Sequence, residues 1–240
     1  MNQNDFVFFD TETTGNTPDD VLCQIAYKCG DDIFCELYNP GRVIPPEASA
    51  VHHISNKMIT DKPIFRESDT YAKVKTLFES TDKHFVAHNA KFDIGMFKRE
   101  DIILPRFLCT LRLARALDEE NKIPRYNLQY LRYYLDMDIE AQAHDALGDV
   151  MVLEQLFTRL YEKFLKRHSG DKNKTLAEMY EISSRPSFMA MFTFGKYNGQ
   201  KVTDVARIDR GYLEWMLAQK MQNEADEEDW IYTLKTALGK

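Results

Sequence analysis

Three groups of acidic side chains, far apart along the chain, have the types and spacing of a cation site. Asp10 and Glu12 lie two residues apart at the end of an apolar run, Phe6-Val-Phe-Phe9. Side chains two apart on a strand share a face, so both carboxylates can reach one ion. Asp93 follows Val86-Ala-His88-Asn89-Ala-Lys-Phe92, which reads as a strand turning into a helix. His144 and Asp149 bracket the start of the clearest helix, with Asp145 as its N-cap, so an imidazole and a carboxylate can converge from a loop and a first turn. Singly, each group has an ordinary explanation: a first-turn acid complements the helix dipole, and a loop histidine is simply solvated. Together they form an oxygen-rich set that suits Mg²⁺ or Mn²⁺ better than zinc. Four such acids repel one another unless cations join them. Two divalent ions about 3.5–4 Å apart could stabilise the attacking and leaving oxygens of a phosphodiester displacement. His144, titrating near neutrality, suits the task of taking a proton from an attacking water.

The elements that must position these groups follow from the hydrophobic pattern. Strands are expected at 6–10 and 84–87, with a hairpin of 21–29 and 33–38 around Gly30-Asp31-Asp32. Residues 40–69, with four prolines and no sustained period, read as loop. Helices are expected at 71–79, 92–99, 110–117 and 128–135. The strongest begins near Ala146, where Leu147, Val150, Leu153, Phe157, Leu160 and Phe164 step by three or four. The polar stretch 166–174 interrupts this periodicity. We therefore expect a first domain over 1–167, a linker at 168–185 and a small domain at 186–240. In the last, Asn198-Gly199 predicts a hairpin between 192–194 and 201–203, followed by helices at 212–219 and 230–238. Tyr212 and Trp215, at helical spacing, are expected in its core, although with Tyr197 they could also stack on bases.

At 240 residues with 44 % hydrophobic and 29 % charged side chains, the chain has the composition of a globular protein able to bury its own core. It shows neither a membrane span nor a signal peptide, and its four cysteines are expected as free thiols in the cytoplasm. A net charge of −7 argues against coating of nucleic acid by bulk attraction. The charge is uneven: residues 1–50 carry −7, whereas 91–132 carry nine basic and six acidic groups. Such an arrangement fits a cation site beside a polyanion track, and equally fits ordinary solvated helix faces. Rival metal motifs fail. Asp10-x-Glu12-x-Thr14-Gly15 echoes a calcium loop, but its twelfth position is Val21 and a strand precedes it. Cys23 and Cys29 on one strand would stand about 20 Å apart, too far to share zinc.

Phe9-Asp10-Thr-Glu12-Thr-Thr-Gly15, His88-Asn89-Ala-Lys-Phe92-Asp93 and His144-Asp-Ala-Leu-Gly-Asp149 resemble, in order, the three motifs of the DEDD exonuclease superfamily. The third motif reads His-x-Ala-x-x-Asp, as in the DEDDh (proofreading-subunit-like) branch. Further on, Arg185-Pro-Ser-Phe-Met, Phe192-Thr-Phe-Gly-Lys-Tyr-Asn-Gly-Gln-Lys-Val202 and Gly211-Tyr-Leu-Glu-Trp215 are similar to the C-terminal region of the exodeoxyribonuclease X family. The resemblance implies an RNase H-like mixed α/β sheet flanked by helices, with a small C-terminal α+β appendage. It also implies metal-dependent 3′→5′ removal of nucleoside 5′-monophosphates from single- and double-stranded DNA ends, in DNA repair. By position, Asp10, Glu12 and Asp149 would hold two Mg²⁺ ions (Mn²⁺ substituting), Asp93 would act mainly through a water on the second, and His144 would be the general base. Glu47 and His52 would touch the terminal nucleotide, with Thr13, His88, Asn89 and Phe92 lining the same pocket. One position departs from the family: Asn16 stands where an apolar residue usually wedges against the terminal base. A 3′→5′ exoribonuclease using the same site is the alternative, since only RNA offers a 2′-hydroxyl to distinguish them. A catalytically silent nucleic-acid-binding protein would be expected to lack one of the five motif residues.

Overall fold

A computed structural model describes residues 2–17, 19–139, 146–224 and 227–240. Contacts divide the chain into two units, Met1–Ala114 with Arg125–Ser183, and Arg115–Pro124 with Ser184–Lys240.

The first unit is built on a mixed sheet of five strands among the described residues. β1 (Phe6–Thr13), β2 (Leu22–Cys29) and β3 (Asp32–Leu37) form an antiparallel meander, and β4 (His84–Ala87) and β5 (Phe107–Cys109) run parallel to β1, giving the order β3-β2-β1-β4-β5. The β2–β3 turn places Gly30 at φ +60, with the Asn4 side chain packed where a Cβ would stand. Helices cover both faces. Because successive side chains alternate across a strand, Phe6 and Phe8 meet Phe157 on α7 (Ala146–Arg167), while Phe9 meets Phe78 of α3 (Tyr71–Phe78) and Phe97 of α4 (Lys91–Arg99). The apolar stripe expected along α7 is buried at Val150, Leu153, Phe157, Leu160 and Phe164. Two further helices, α5 (Thr110–Leu117) and α6 (Leu128–Tyr134), stand where the periodicity expects them.

Two local expectations are corrected, and one strand is unforeseen. Residues 40–69 are not all loop: they contain α1 (Pro46–His52) and α2 (Asn56–Ile59), each too short to display a helical period. β5 has only three residues, too few to alternate visibly. Within the expected linker, Lys172–Ser184 forms α8, a weakly amphipathic helix that buries only Thr175, Met179 and Ser183. Ser183 anchors it, its Oγ accepting from the Cys109 N–H at 2.9 Å and its carbonyl from Arg112 at 2.8 Å.

The second unit has a core of its own around Phe192, Val205, Leu213, Trp230 and Leu234, contributed by α9 (Val202–Ile208), α10 (Arg210–Lys220) and α11 (Glu228–Leu238). The expected hairpin is reduced to one bridge, Met191 with Lys201, beside a Gly199 N–H to Phe192 carbonyl bond of 2.8 Å. Its second arm turns helical at Val202 because Val202 and Val205, three apart, are both buried. Tyr212 packs against this core, but Trp215 is 57 % exposed, since α10 buries the stripe Leu213, Met216 and Leu217 and position 215 lies off it. No described helix is long and apolar enough to cross a membrane.

Candidate active site

The alternation of β1 decides where its acids point. Asp10 and Glu12 continue the side of Phe6 and Phe8, toward α7, whose first turn presents Asp149. Ligand oxygens of Asp10, Glu12 and Asp149 lie within 4.8 Å of one another, with Asp149 buried and the other two half-buried. Gln129 on α6, which no motif singled out, donates its amide to Asp149 Oδ1 and accepts at its other end from Arg132. Three carboxylates in one cluster are mutually repulsive, and an all-oxygen donor set is the one a hard divalent cation prefers.

Asp93 belongs to the other layer. Thr11, between the two acids, faces α4, and its Oγ1 and N–H donate to Asp93 Oδ1 at 2.7 and 3.0 Å. That N–H is available because β1 pairs with β4 only from Phe6 to Phe8; beyond it, the carboxylate takes the place of a strand. Asp93 is only 3 % exposed, and burial pushes its carboxyl up to about 7 despite these donors. The structure thus brings three of the four acids into one group and binds the fourth to the backbone between two of them. His144 and the expected cap Asp145 lie outside the described residues.

The residues expected to line a nucleotide pocket are distributed as follows. His52, at the end of α1, accepts the Ile54 N–H at Nδ1 (3.0 Å), so its Nε2 carries the proton and donates to the Thr13 carbonyl at 3.2 Å. Burial holds this imidazole below its usual range. Thr13 Oγ1 in turn donates to the Gly15 carbonyl at 2.6 Å. Glu47 is exposed on the first turn of the same helix, and Asn16 is exposed beyond the end of β1. His88 donates from Nε2 to the Tyr126 carbonyl at 2.6 Å and meets the Thr110 hydroxyl at Nδ1, so it braces β4 against α5 and the approach to α6. Asn89 is exposed at φ +62 in the turn into α4, and Phe92 is half-buried against the Phe9 side of the core. Asp20, also unforeseen, accepts from the Thr14 hydroxyl and from both the N–H and the hydroxyl of Thr17, which hold it below the usual carboxylate range. Its carboxylate sits 2.5 Å from where a Cβ on Gly15 would stand, so a larger residue there would have to displace it from its Thr14 and Thr17 donors.

A mixed sheet with acids converging at the end of its central strand and the start of a covering helix is the architecture of a metal-dependent nuclease. Residues 7–157 match the exonuclease family (RNase_T), and the chain belongs to that family. Residues 192–220 match the exodeoxyribonuclease X-like C-terminal family. Among its relatives is exodeoxyribonuclease 10 of Escherichia coli, 32 % identical over 187 residues, which cover 75 % of this chain and 74 % of that protein. The DNA polymerase III epsilon subunit of Treponema pallidum is 30 % identical over 177 residues, covering 68 % and 79 %. The fold is shared with exonuclease X in complex with 5′-overhanging duplex DNA, at TM-score 0.55 and 24 % identity over 74 % of this chain and 99 % of that one. It is also shared with the E. coli ExoI–ssDNA complex, at TM-score 0.56 and 18 % identity over 67 % and 42 %.

Proposed function

We propose that the protein is a 3′→5′ exodeoxyribonuclease that releases nucleoside 5′-monophosphates from single- and double-stranded DNA ends, in DNA repair. The observation that carries the reading is the convergence of Asp10, Glu12 and Asp149. In it, Asp10, Glu12 and Asp149 hold Mg²⁺, or Mn²⁺ in its place, and Asp93 serves a second ion through a water. The bound cations supply Lewis-acid charge to the phosphoryl oxygens. Thr11 fixes Asp93, and Gln129 orients Asp149. His144 accepts the proton of the attacking water as general base. Glu47, His52 and Thr13 contact the terminal nucleotide, His52 from a fixed neutral tautomer. The second unit, matching the exodeoxyribonuclease X-like C-terminal family, aids engagement of DNA.

The test is a set of matched 5′-labelled DNA and RNA strands, single and duplex, with Mg²⁺ and with chelator. The expected outcome is a ladder shortening from the 3′ end of DNA, abolished by chelator. His144→Gln should retain Mn²⁺ and DNA binding and lose at least about 100-fold in rate, whereas Asp10→Ala should lose both Mn²⁺ binding and cleavage. Full activity in purified Asp10→Ala protein would overturn the assignment. Preferential degradation of RNA would make the site an exoribonuclease.

A further inference from the structure

Next to the carboxylate cluster, α6 carries a surface that none of the motifs requires. Arg125, Asn127, Gln129, Tyr130, Tyr133 and Tyr134 line an open cleft of about 500 Å³. Tyr133 is 70 % exposed, and the guanidinium of the buried Arg132 lies 5.3 Å from its ring centroid. A cation against the ring pins it while leaving it open to solvent. Tyr130 and Tyr134, four apart on the helix, stack at 5.8 Å and 21°. Three tyrosines within five residues, Tyr133 and Tyr134 exposed and Tyr130 half-buried, are a concentration of apolar surface that isolated surface residues do not show. Gln129 joins this cleft to the site, because the residue lining it also donates to Asp149. The helix lies at the end of a stretch with a basic balance, 91–132, and Arg125 places a cation at the cleft.

We propose that this shelf is a base-stacking subsite for an unpaired DNA strand, seating nucleotides on the 5′ side of the bond that is cut. The inference rests on the nuclease reading above for its direction along the strand. Aromatic rings accept any base, since each offers a π-face, and a nearby arginine attracts the phosphates. Unpaired bases are needed because stacking inside a duplex already occupies their faces. The shelf therefore gives a grip that does not depend on sequence, next to the carboxylates but made without them.

The experiment titrates wild-type, Tyr133→Ala and Tyr133→Phe proteins, each as the full chain, onto a short 5′-fluorescein oligothymidylate in Ca²⁺, following anisotropy, with thermal melting of each variant. Tyr133→Ala is expected to weaken Kd by about fivefold or more, and Tyr133→Phe, which keeps the ring, to bind as wild type. Wild-type affinity in a folded Tyr133→Ala protein would overturn the proposal. Should that variant melt early, Tyr134→Ala is read by the same criterion. Hydrolysis of the same oligonucleotide by wild type in Mg²⁺ is measured separately. Loss of binding in Tyr133→Ala without any hydrolysis by wild type would leave the shelf standing and remove the nuclease reading. Hydrolysis by wild type with unchanged binding in Tyr133→Ala would do the reverse.

Discussion

Thr11 is the side chain on which the two layers of the site depend. It stands between Asp10 and Glu12 yet points away from them, and its hydroxyl and N–H are both given to the buried Asp93. Thr11→Val preserves shape and the backbone donor but leaves a buried carboxylate one hydrogen bond short. A loss of about 1–3 kcal/mol of stability is expected, read by urea denaturation, with Thr11→Ser recovering most of it. A Thr11→Val protein as stable as wild type would show that the hydroxyl is not needed. At this scale the sequence was informative about the acids and silent about their supports. Asp10, Glu12 and Asp149 could be placed together from strand parity and a helix start. The same parity, applied to Thr11, already puts it on the α4 side. Gln129 carries no such sign: a glutamine at the second position of a short helix has many possible partners, and only the packing of α6 beside α7 selects Asp149.

Among the elements, those that carry a visible apolar run or period are legible and the rest are not. β1, β4, α3, α4 and α7 show such runs or periods, whereas α1, α2 and β5, of seven, four and three residues, show none and are held by what surrounds them. The α1 region shows the consequence, for its His52 ring is what ties the helix end to Thr13. Burial holds both His52 and His84 of β4 below their usual range, Arg106 adding to the effect on His84. The unfolded chain regains the ordinary value near 6.5. Above that pH both states are neutral and the histidines contribute no slope. As pH falls through it, the unfolded chain takes up protons that the native fold resists, so stability declines. Asp93, raised to about 7 by burial, works in the opposite sense over the same range, so the histidine effect is read as a difference: between pH 7.5 and 5.5 the wild-type urea midpoint should fall by more, or rise by less, than that of His84→Gln. The same pH dependence in both proteins would contradict this.

For the whole molecule, the end of the first unit lies later than the charged stretch 166–174 suggested. Polarity there marks a turn between α7 and α8, and the chain then returns: Ser183 meets Cys109 and Arg112, and Tyr180 meets His84 at 2.6 Å. A chain ending at Arg167 should melt at least about 5 °C below one ending at Ser184, because several buried partners are stranded. Equal melting temperatures would show that α8 is dispensable. The sheet register also limits how this chain can change length. β1 keeps step with β2 from Phe8–Lys28 to Glu12–Gln24, and slips only between Glu12 and Thr13. One residue added or removed within β1 between Phe6 and Asp10, with the preceding pairing held, would send both acids to the α4 side and turn Thr11 toward α7. Past the slip, no such inversion threatens the chemistry, so the boundary between frozen and negotiable chain length falls within a single peptide bond.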